Sequence, residues 1–319
     1  LNVSAPVCLV VNPAAGGGRA GRLAPEAERA LRAEGLTVRR VDTRDLEHAR
    51  ELAVEAAGRG ETVVALSGDG MIGALADVLR GLPEAVLGVI PGGRGNDLAR
   101  VLGIPDDREA AAAIVAAGHT RAVDLGVVDG GEHVNGSGPG GGGQAFVGIA
   151  SAGFDSDANR IANEAPAWLG GLVYVYGALG ALISWKPARF EIELDPPGER
   201  RVFTAFTVGA CNSKTYGGGM RAAPDAMLDD GLLEVVVLES IGKLAFLTRI
   251  LPKVFKGTHV REPCVSVFRA KEIALSADRA FTMYADGDPI GELPLRVRAL
   301  PGAITMLTPA HAGSAFSES

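Results

Sequence analysis

The stretch TVVALSGDG, residues 62–70, decides the fold. An apolar strand runs without a spacer into Ser-Gly-Asp-Gly and then into a helical pattern near 71–80. Strand, tight glycine turn and helix form the repeating step of a parallel α/β sheet. The step recurs on both sides. Upstream, VCLVVN (7–12) leads through a glycine-rich loop to a helix near 20–34, and LTVRRVD (36–42) leads to a helix near 45–58. Downstream, AVLGVIPGG (85–93) leads to helices near 96–102 and 107–117. Right-handed crossovers then cover both faces of an open parallel sheet, so residues 1–120 are expected to form a Rossmann-like α/β domain.

After Arg121 the pattern changes to runs with strand character, among them AVDLGVV, QAFVGIA, RFEIEL, FTAFTVGAC, LLEVVVL and LPLRVRAL. Helical insertions near 160–185 and 241–256 interrupt them. Residues 121–300 are therefore expected to form a second, β-rich domain, a sandwich, with the tail 301–319 able to pack back on the first domain. The glycine run 136–143 reads as a hairpin tip. Ala165 to Trp185 carries no charge and is long enough to span a bilayer, but Pro166 and four glycines dilute it, and a buried helix is expected instead.

A chain of 319 residues has room for two such cores. Lys and Arg number 31 against 38 Asp and Glu, a net charge of −7, which excludes broad attraction to nucleic acid and requires a local patch for any anionic partner. Cys8, Cys211 and Cys264 are far apart in apolar runs, and no basic-then-apolar leader precedes the first strand. Both features fit a reducing cytoplasm.

Ligands of parallel α/β sheets bind beyond the carboxyl ends of the strands, and three of the loops there are unusual. Asn12-Pro13-Ala14-Ala15-Gly16-Gly17-Gly18-Arg19 is a glycine-rich turn running into a helix, suited to phosphate but without the Lys-Ser/Thr of a Walker loop. Gly16, Gly18 and Gly21, with Asp42 ending the second strand, also match a dinucleotide fingerprint and keep an NAD(P)-binding oxidoreductase as an alternative. Against it, Asn-Pro-Ala-Ala would displace the turn from the strand end. The second loop, Ser67-Gly68-Asp69-Gly70, lets backbone approach a phosphate while Asp69 orients a metal or its waters. The third, Pro91-Gly92-Gly93-Arg94-Gly95-Asn96-Asp97, repeats the arrangement with a second carboxylate.

These loops carry a resemblance to the diacylglycerol kinase catalytic family, which includes bacterial soluble diacylglycerol kinases and sphingosine kinases. NPAAGGG, SGDGM and PGGRGNDLAR look like its three nucleotide motifs, and the likeness continues through VDLG (123–126), SAGFDS (151–156), GGGMRAAPDAMLDDGLLEVVVL (217–238), KGTHV (256–260) and YADGDPIGELPLRV (284–297). The G-G-D-G element alone is shared with NAD kinase. The resemblance implies a lipid kinase that transfers phosphate from ATP, with Mg²⁺, to a lipid such as diacylglycerol in a cleft beside the sandwich. It carries nucleotide contacts to Asn12 through Gly16, Thr43, Ser67 through Gly73 (including Met71 and Ile72), Arg94, Asn96 and Asp97. A carboxylate, water and magnesium network maps onto Asp69, Asp97 and Asp124. A structural magnesium site maps onto the carbonyls of Ala222 and Met227 with the Asp225 side chain. Asp288, closing Asp286-Gly287-Asp288, takes the place of the general base.

Several positions depart from the family pattern. Met71 and Arg94 each stand for a Thr, Gly73 and Ala74 for Asn and Glu, and Asp288 for Glu. A catalytically weak or inactive lipid- or nucleotide-binding relative is the corresponding alternative. The segment 241–256, with Lys243, Arg249, Lys253, Lys256 and no acid, is expected either to touch an anionic membrane from the cytoplasmic side or to pack on its own sandwich. A homodimer is left open. The five histidines form no metal-binding pair and no G-x-S-x-G is present, so zinc and serine-hydrolase chemistry have no support.

Overall fold

The computed structural model describes residues 6–82, 84–129, 142–164, 173–311 and 315–317. Most of the glycine run 136–143 and the first part of the apolar stretch 165–185 lie outside the described residues.

In the N-terminal domain, β1 (Val7–Val11), β2 (Val38–Asp42), β3 (Thr62–Ser67) and β4 (Val86–Pro91) form a parallel sheet in the order β2-β1-β3-β4. β1 and β3 are buried along their full length. That is why they read as unbroken apolar runs rather than alternating ones. Helices α1 (Ala15–Ala33), α2 (Leu46–Gly58), α3 (Asp69–Leu79), α4 (Asp97–Leu102) and α5 (Arg108–Ala117) fill the crossovers. Asp45 and Asp107 start α2 and α5 by accepting hydrogen bonds from His48 and Ala110 amides. By contrast, α3 has no side-chain cap. Alanine supplies much of each buried helix face, so the helices approach the sheet closely.

The C-terminal domain is an antiparallel sandwich built from β5 (Thr120–Asp129), β6 (Gln144–Phe146), β7 (Ile149–Gly153), β8 (Ala188–Leu194), β9 (Glu199–Cys211), β10 (Leu233–Glu239), β11 (Val265–Ala270), β12 (Glu272–Ala277), β13 (Thr282–Ala285), β14 (Asp288–Glu292) and β15 (Leu295–Leu307). Its core is aromatic: Phe154 meets Trp185, Phe206 and Phe246 with ring centroids 5.7, 6.0 and 5.1 Å apart. QAFVGIA is not one strand. It divides into β6 and β7 because the amides of Val147, Gly148 and Ile149 are drawn to the Asp286 carboxylate instead of a ladder partner.

β15 joins the two domains. Its first part pairs antiparallel with β12 and β5, and its last part lies parallel to β4, with Thr305 opposite Val86. The register with β5 shifts between Leu300 and Ile304, where Gly302 adopts φ +56°. Helices α6 (Phe154–Glu164) and α7 (Val173–Ser184) and the helical segment 243–254 cover the sandwich. Within that segment a π-turn, Phe246–Ile250, separates two short α-helical pieces, and Pro252 removes an amide donor just after it. Among the described residues no helix is long and apolar enough to cross a membrane.

Candidate active site

The three glycine loops meet as backbone against backbone. A β-carbon on Gly93 would lie 2.4 Å from Gly68 Cα, and one on Gly16 would lie 2.7 Å from the Gly92 carbonyl oxygen. Only glycine permits this approach, and Gly16, Gly17 and Gly18 also hold φ of +63°, +67° and +84°. The Asn12 side chain accepts from the Ala14 amide, and the Thr43 amide donates to Val11, which ties the ends of β1 and β2 together. Ser67 accepts the Gly92 amide through its carbonyl, and Asn96, at φ +50°, accepts the Gly93 amide. The result is a concave amide surface at the uncapped N-terminus of α3, which suits phosphate.

Two residues assigned to this surface do not present side chains to it. Met71 and Ile72 are buried in the core of the α/β domain, 4% and 1% exposed, and the Ile72 amide already donates to Gly68. The third-loop arginine behaves differently. Arg94 is exposed, has no hydrogen-bond or ion-pair partner among the described residues, and lines both the phosphate-side cleft and the cavity of the second domain.

Asp69 and Asp97 form a carboxylate pair. Asp69 accepts the amides of Asp97 and Leu98 at 3.1 and 2.9 Å, capping α4. Asp97 accepts the Gly218 amide at 2.7 Å and pairs with Arg100 at 2.6 Å, so the Gly217-Gly218-Gly219 loop of the sandwich is clamped to the first domain. Both carboxylates crowd Gly95, where a β-carbon would lie 3.0 Å from Asp97 Oδ2 and 3.3 Å from Asp69 Oδ2. Burial, and then the Asp69 charge, push Asp97 up to about 6. Two like charges in a half-enclosed cleft fit a cation between or beside them.

Asp286 was not expected as a site residue. It accepts the amides of Val147, Gly148 and Ile149 at 2.9, 2.9 and 3.3 Å, and burial together with the Asp69 charge pushes it up to about 7. Its left-handed φ of +51° turns the chain so that Asp288 lies over α3, its Oδ2 3.0 Å from where a Gly70 β-carbon would stand. Asp288 is exposed, and partial desolvation raises its carboxyl, opposed by Arg50. A carboxylate of the second domain thus reaches the first turn of α3.

Asp124 lies on β5. Its two oxygens accept the Gly231 and Gly302 amides at 2.6 and 2.7 Å, which pins β15 at its register shift. It braces β5 against the Gly231 turn and β15. Of the carbonyl set, Ala222 bonds His259 Nε2 at 3.1 Å, Asp225 is exposed, and Met227 is half-buried. These are hard oxygen donors of the kind Mg²⁺ takes, with one carboxylate among them. Among the described residues no three His, Cys, Asp or Glu side chains are grouped for a metal ion.

The dinucleotide alternative loses its acidic anchor, because Arg40 grips both Asp42 oxygens at 2.9 and 2.8 Å. An apolar cavity of about 280 Å³ adjoins the carboxylate cleft, the two sharing Ile149, Tyr216 and Gly217 in their walls.

Residues 6–128 match the diacylglycerol kinase catalytic domain, and residues 148–308 match the YegS C-terminal NAD kinase beta sandwich-like domain. A diacylglycerol kinase of Mycobacterium tuberculosis (strain ATCC 25618 / H37Rv) is 33% identical over 308 residues, covering 96% of each chain. Another, of Bacillus subtilis (strain 168), is 31% identical over 250 residues and 77% of each chain. In fold, the crystal structure of a diacylglycerol kinase from Bacillus anthracis str. Sterne superposes with a TM-score of 0.72 over 97% of this chain and 98% of that one, at 22% identity.

Proposed function

Because the chain belongs to the diacylglycerol kinase catalytic-domain family, we propose that it transfers the γ-phosphoryl group of ATP to the hydroxyl of a lipid such as diacylglycerol, with Mg²⁺ bound alongside the nucleotide. One observation carries the reading. Asp288 stands over the first turn of α3, at the glycine-amide surface fit for phosphate, and the neighbouring carboxylate cleft that holds Asp286 adjoins a cavity fit for acyl chains.

Phosphoryl transfer asks mainly for positioning and charge neutralisation. The first-turn amides of α3 and the Gly16–Gly18 turn receive the phosphates, and the Arg94 guanidinium offers them a bidentate donor in place of the family's threonine. The lipid hydroxyl oxygen bonds to the γ-phosphorus as the bond to the β,γ-bridging oxygen breaks, and ADP leaves. Asp288 takes the hydroxyl proton. Asp69 and Asp97 would hold magnesium, which when bound neutralises phosphate charge. Arg100 and the Gly218 amide keep Asp97 in position, and Asp286 keeps Asp288 in position.

The lipid is met at a membrane surface. Leu244 and Phe255, 75% and 47% exposed, lie near the two ends of the stretch 243–255, whose Phe246, Ile250 and Val254 wall the cavity. Its charge is smaller than the sequence suggests, because Glu262 pairs with both Arg249 and Lys253. Contact is thus peripheral, apolar first and electrostatic second.

The test is transfer of labelled γ-phosphate from Mg-ATP to dioctanoylglycerol in detergent micelles. The wild-type protein is expected to yield labelled phosphatidic acid, and Asp69→Ala to lose it by about a hundredfold or more, as when a charge-positioning group is removed. Absence of labelled lipid with the wild-type protein would favour a binding relative without catalysis.

A further inference from the structure

The cavity of the sandwich domain is apolar along most of its wall, where Phe154, Val236, Leu238, Phe246, Ile250 and Val254 face it. One carboxyl group interrupts that wall. Asp155, in the first turn of α6, accepts the Thr207 hydroxyl at 3.1 Å and the Tyr216 hydroxyl at 3.2 Å, both on Oδ2. All three residues are half-buried and line the cavity. A carboxyl in apolar surroundings is costly unless it serves a purpose. No Lys, Arg or His side chain pairs with Asp155 among the described residues.

Position suggests the purpose. Tyr216, Ile149 and Gly217 line both this cavity and the cleft that holds Asp69, Asp97 and Asp286. The polar cluster therefore sits where the cavity opens toward the phosphate-transfer site. Acyl chains placed against the apolar wall bring a lipid's headgroup to this point.

We infer that Asp155, with the hydroxyls of Tyr216 and Thr207, receives the uncharged headgroup of the acceptor lipid, hydrogen-bonding the free hydroxyl and ester oxygens of a diacylglycerol-type molecule, and disfavours acceptors whose headgroup already carries a phosphate. This rests on the lipid-kinase reading above. A neutral carboxyl can donate to an ester carbonyl while accepting from a hydroxyl, and burial favours that neutral form. In its ionised form it would repel a phosphodiester. Arg94, at the rim of the same cavity, pulls the other way, so the lipid preference reads directly which group governs.

The experiment has two arms on the intact protein. In the first, dioctanoylglycerol and dioctanoyl phosphatidylglycerol are titrated in micelles while fluorescence is followed in a Trp168→Phe background, which leaves Trp185, 5.7 Å from the Phe154 ring that lines the cavity, as the reporter. The same lipids are then used as acceptors in steady-state transfer. Wild-type protein is expected to bind and phosphorylate the neutral lipid in preference, by about tenfold or more. Asp155→Leu is expected to raise the KM for dioctanoylglycerol about tenfold or more, with the KM for ATP unchanged; Asp155→Asn, which keeps a donor and an acceptor, recovers most of that loss. Tyr216→Phe removes one hydroxyl without altering the ring and is expected to cost about three- to tenfold in the same constant. Equal or tighter binding of phosphatidylglycerol by the wild-type protein overturns the inference. So does an unchanged lipid KM in both Asp155→Leu and Tyr216→Phe. Lipid binding with that preference but no transfer would instead overturn the kinase reading while sustaining the headgroup site.

Discussion

The Asp286 carboxylate occupies the space that a side chain on residue 73 would need: Oδ2 lies 2.8 Å from the position of a Gly73 β-carbon. The glycine at 73 therefore belongs to the way the second domain seats on α3. With Asp286 in that space and three amides on its oxygens, the turn carrying Asp288 is fixed over the phosphate surface.

Gly73→Ala tests this through its sign. In a free helix the substitution stabilises by about 1 kcal/mol. Here the methyl must displace a hydrogen-bonded carboxylate, and overpacking of that kind costs about 1–3 kcal/mol. Net destabilisation in urea and a lower kcat with little change in the KM for ATP are expected. A stabilised, fully active variant would show that the Asp286 contact is dispensable.

Asp286 also gives stability a pH dependence of known sign. Its carboxyl is pushed up to about 7 in the folded state, from the ordinary aspartate value of 3.8. The folded protein then binds this proton more tightly, so the contribution is fully present below about pH 4 and is lost as pH rises through about 7. Burial, and then the Asp69 charge, raise Asp286, while the amides of Val147, Gly148 and Ile149 oppose the rise. Asp286→Asn resembles the protonated form. The variant is expected to gain stability relative to wild type between pH 5 and pH 8 in urea titrations. A stability difference that does not change with pH would contradict the assignment.

The parallel sheet and the glycine loops were readable because their causes are local. Strands buried on both faces have no polar alternation, and glycines required by close backbone approach leave their mark in the chain. What could not be read is set by distant partners. QAFVGIA looks like one strand until Asp286 takes its amides. The segment 241–256 looks wholly basic until Glu262 pairs with two of its cations. VDLG marks Asp124 as important, yet only the amides of Gly231 and Gly302 reveal that it braces β5 against β15. Met71 sits in a phosphate motif but points into the core. For Asp155 the signal was present in SAGFDS, and its meaning depended on a cavity that no spacing displays.

Gly16→Ala addresses the nucleotide surface. The residue holds φ +63°, and its β-carbon would lie 2.7 Å from the Gly92 oxygen. Left-handed strain alone costs about 1–3 kcal/mol, and the clash separates two of the three loops. The KM for ATP is expected to rise about tenfold or more while the KM for lipid changes little. Equal effects on both constants would indicate a general loss of structure.

Glu262→Gln probes the membrane face. Removing this carboxylate releases Arg249 and Lys253 from their ion pairs. Each freed cation near an anionic surface is worth about 1 kcal/mol, so sedimentation with phosphatidylserine vesicles should rise several-fold at low salt and fall back at high salt. Unchanged binding would place the segment away from the bilayer.

The central claim is that Asp288, delivered from the sandwich domain, accepts the proton of the lipid hydroxyl. It is tested most directly by the single-turnover rate of phosphoryl transfer from Mg-ATP to dioctanoylglycerol in wild type and Asp288→Asn, both saturated with the two substrates. Loss of the base predicts a rate lower by about a hundred- to ten-thousandfold, with substrate binding retained. Transfer by Asp288→Asn at the wild-type rate would contradict the account.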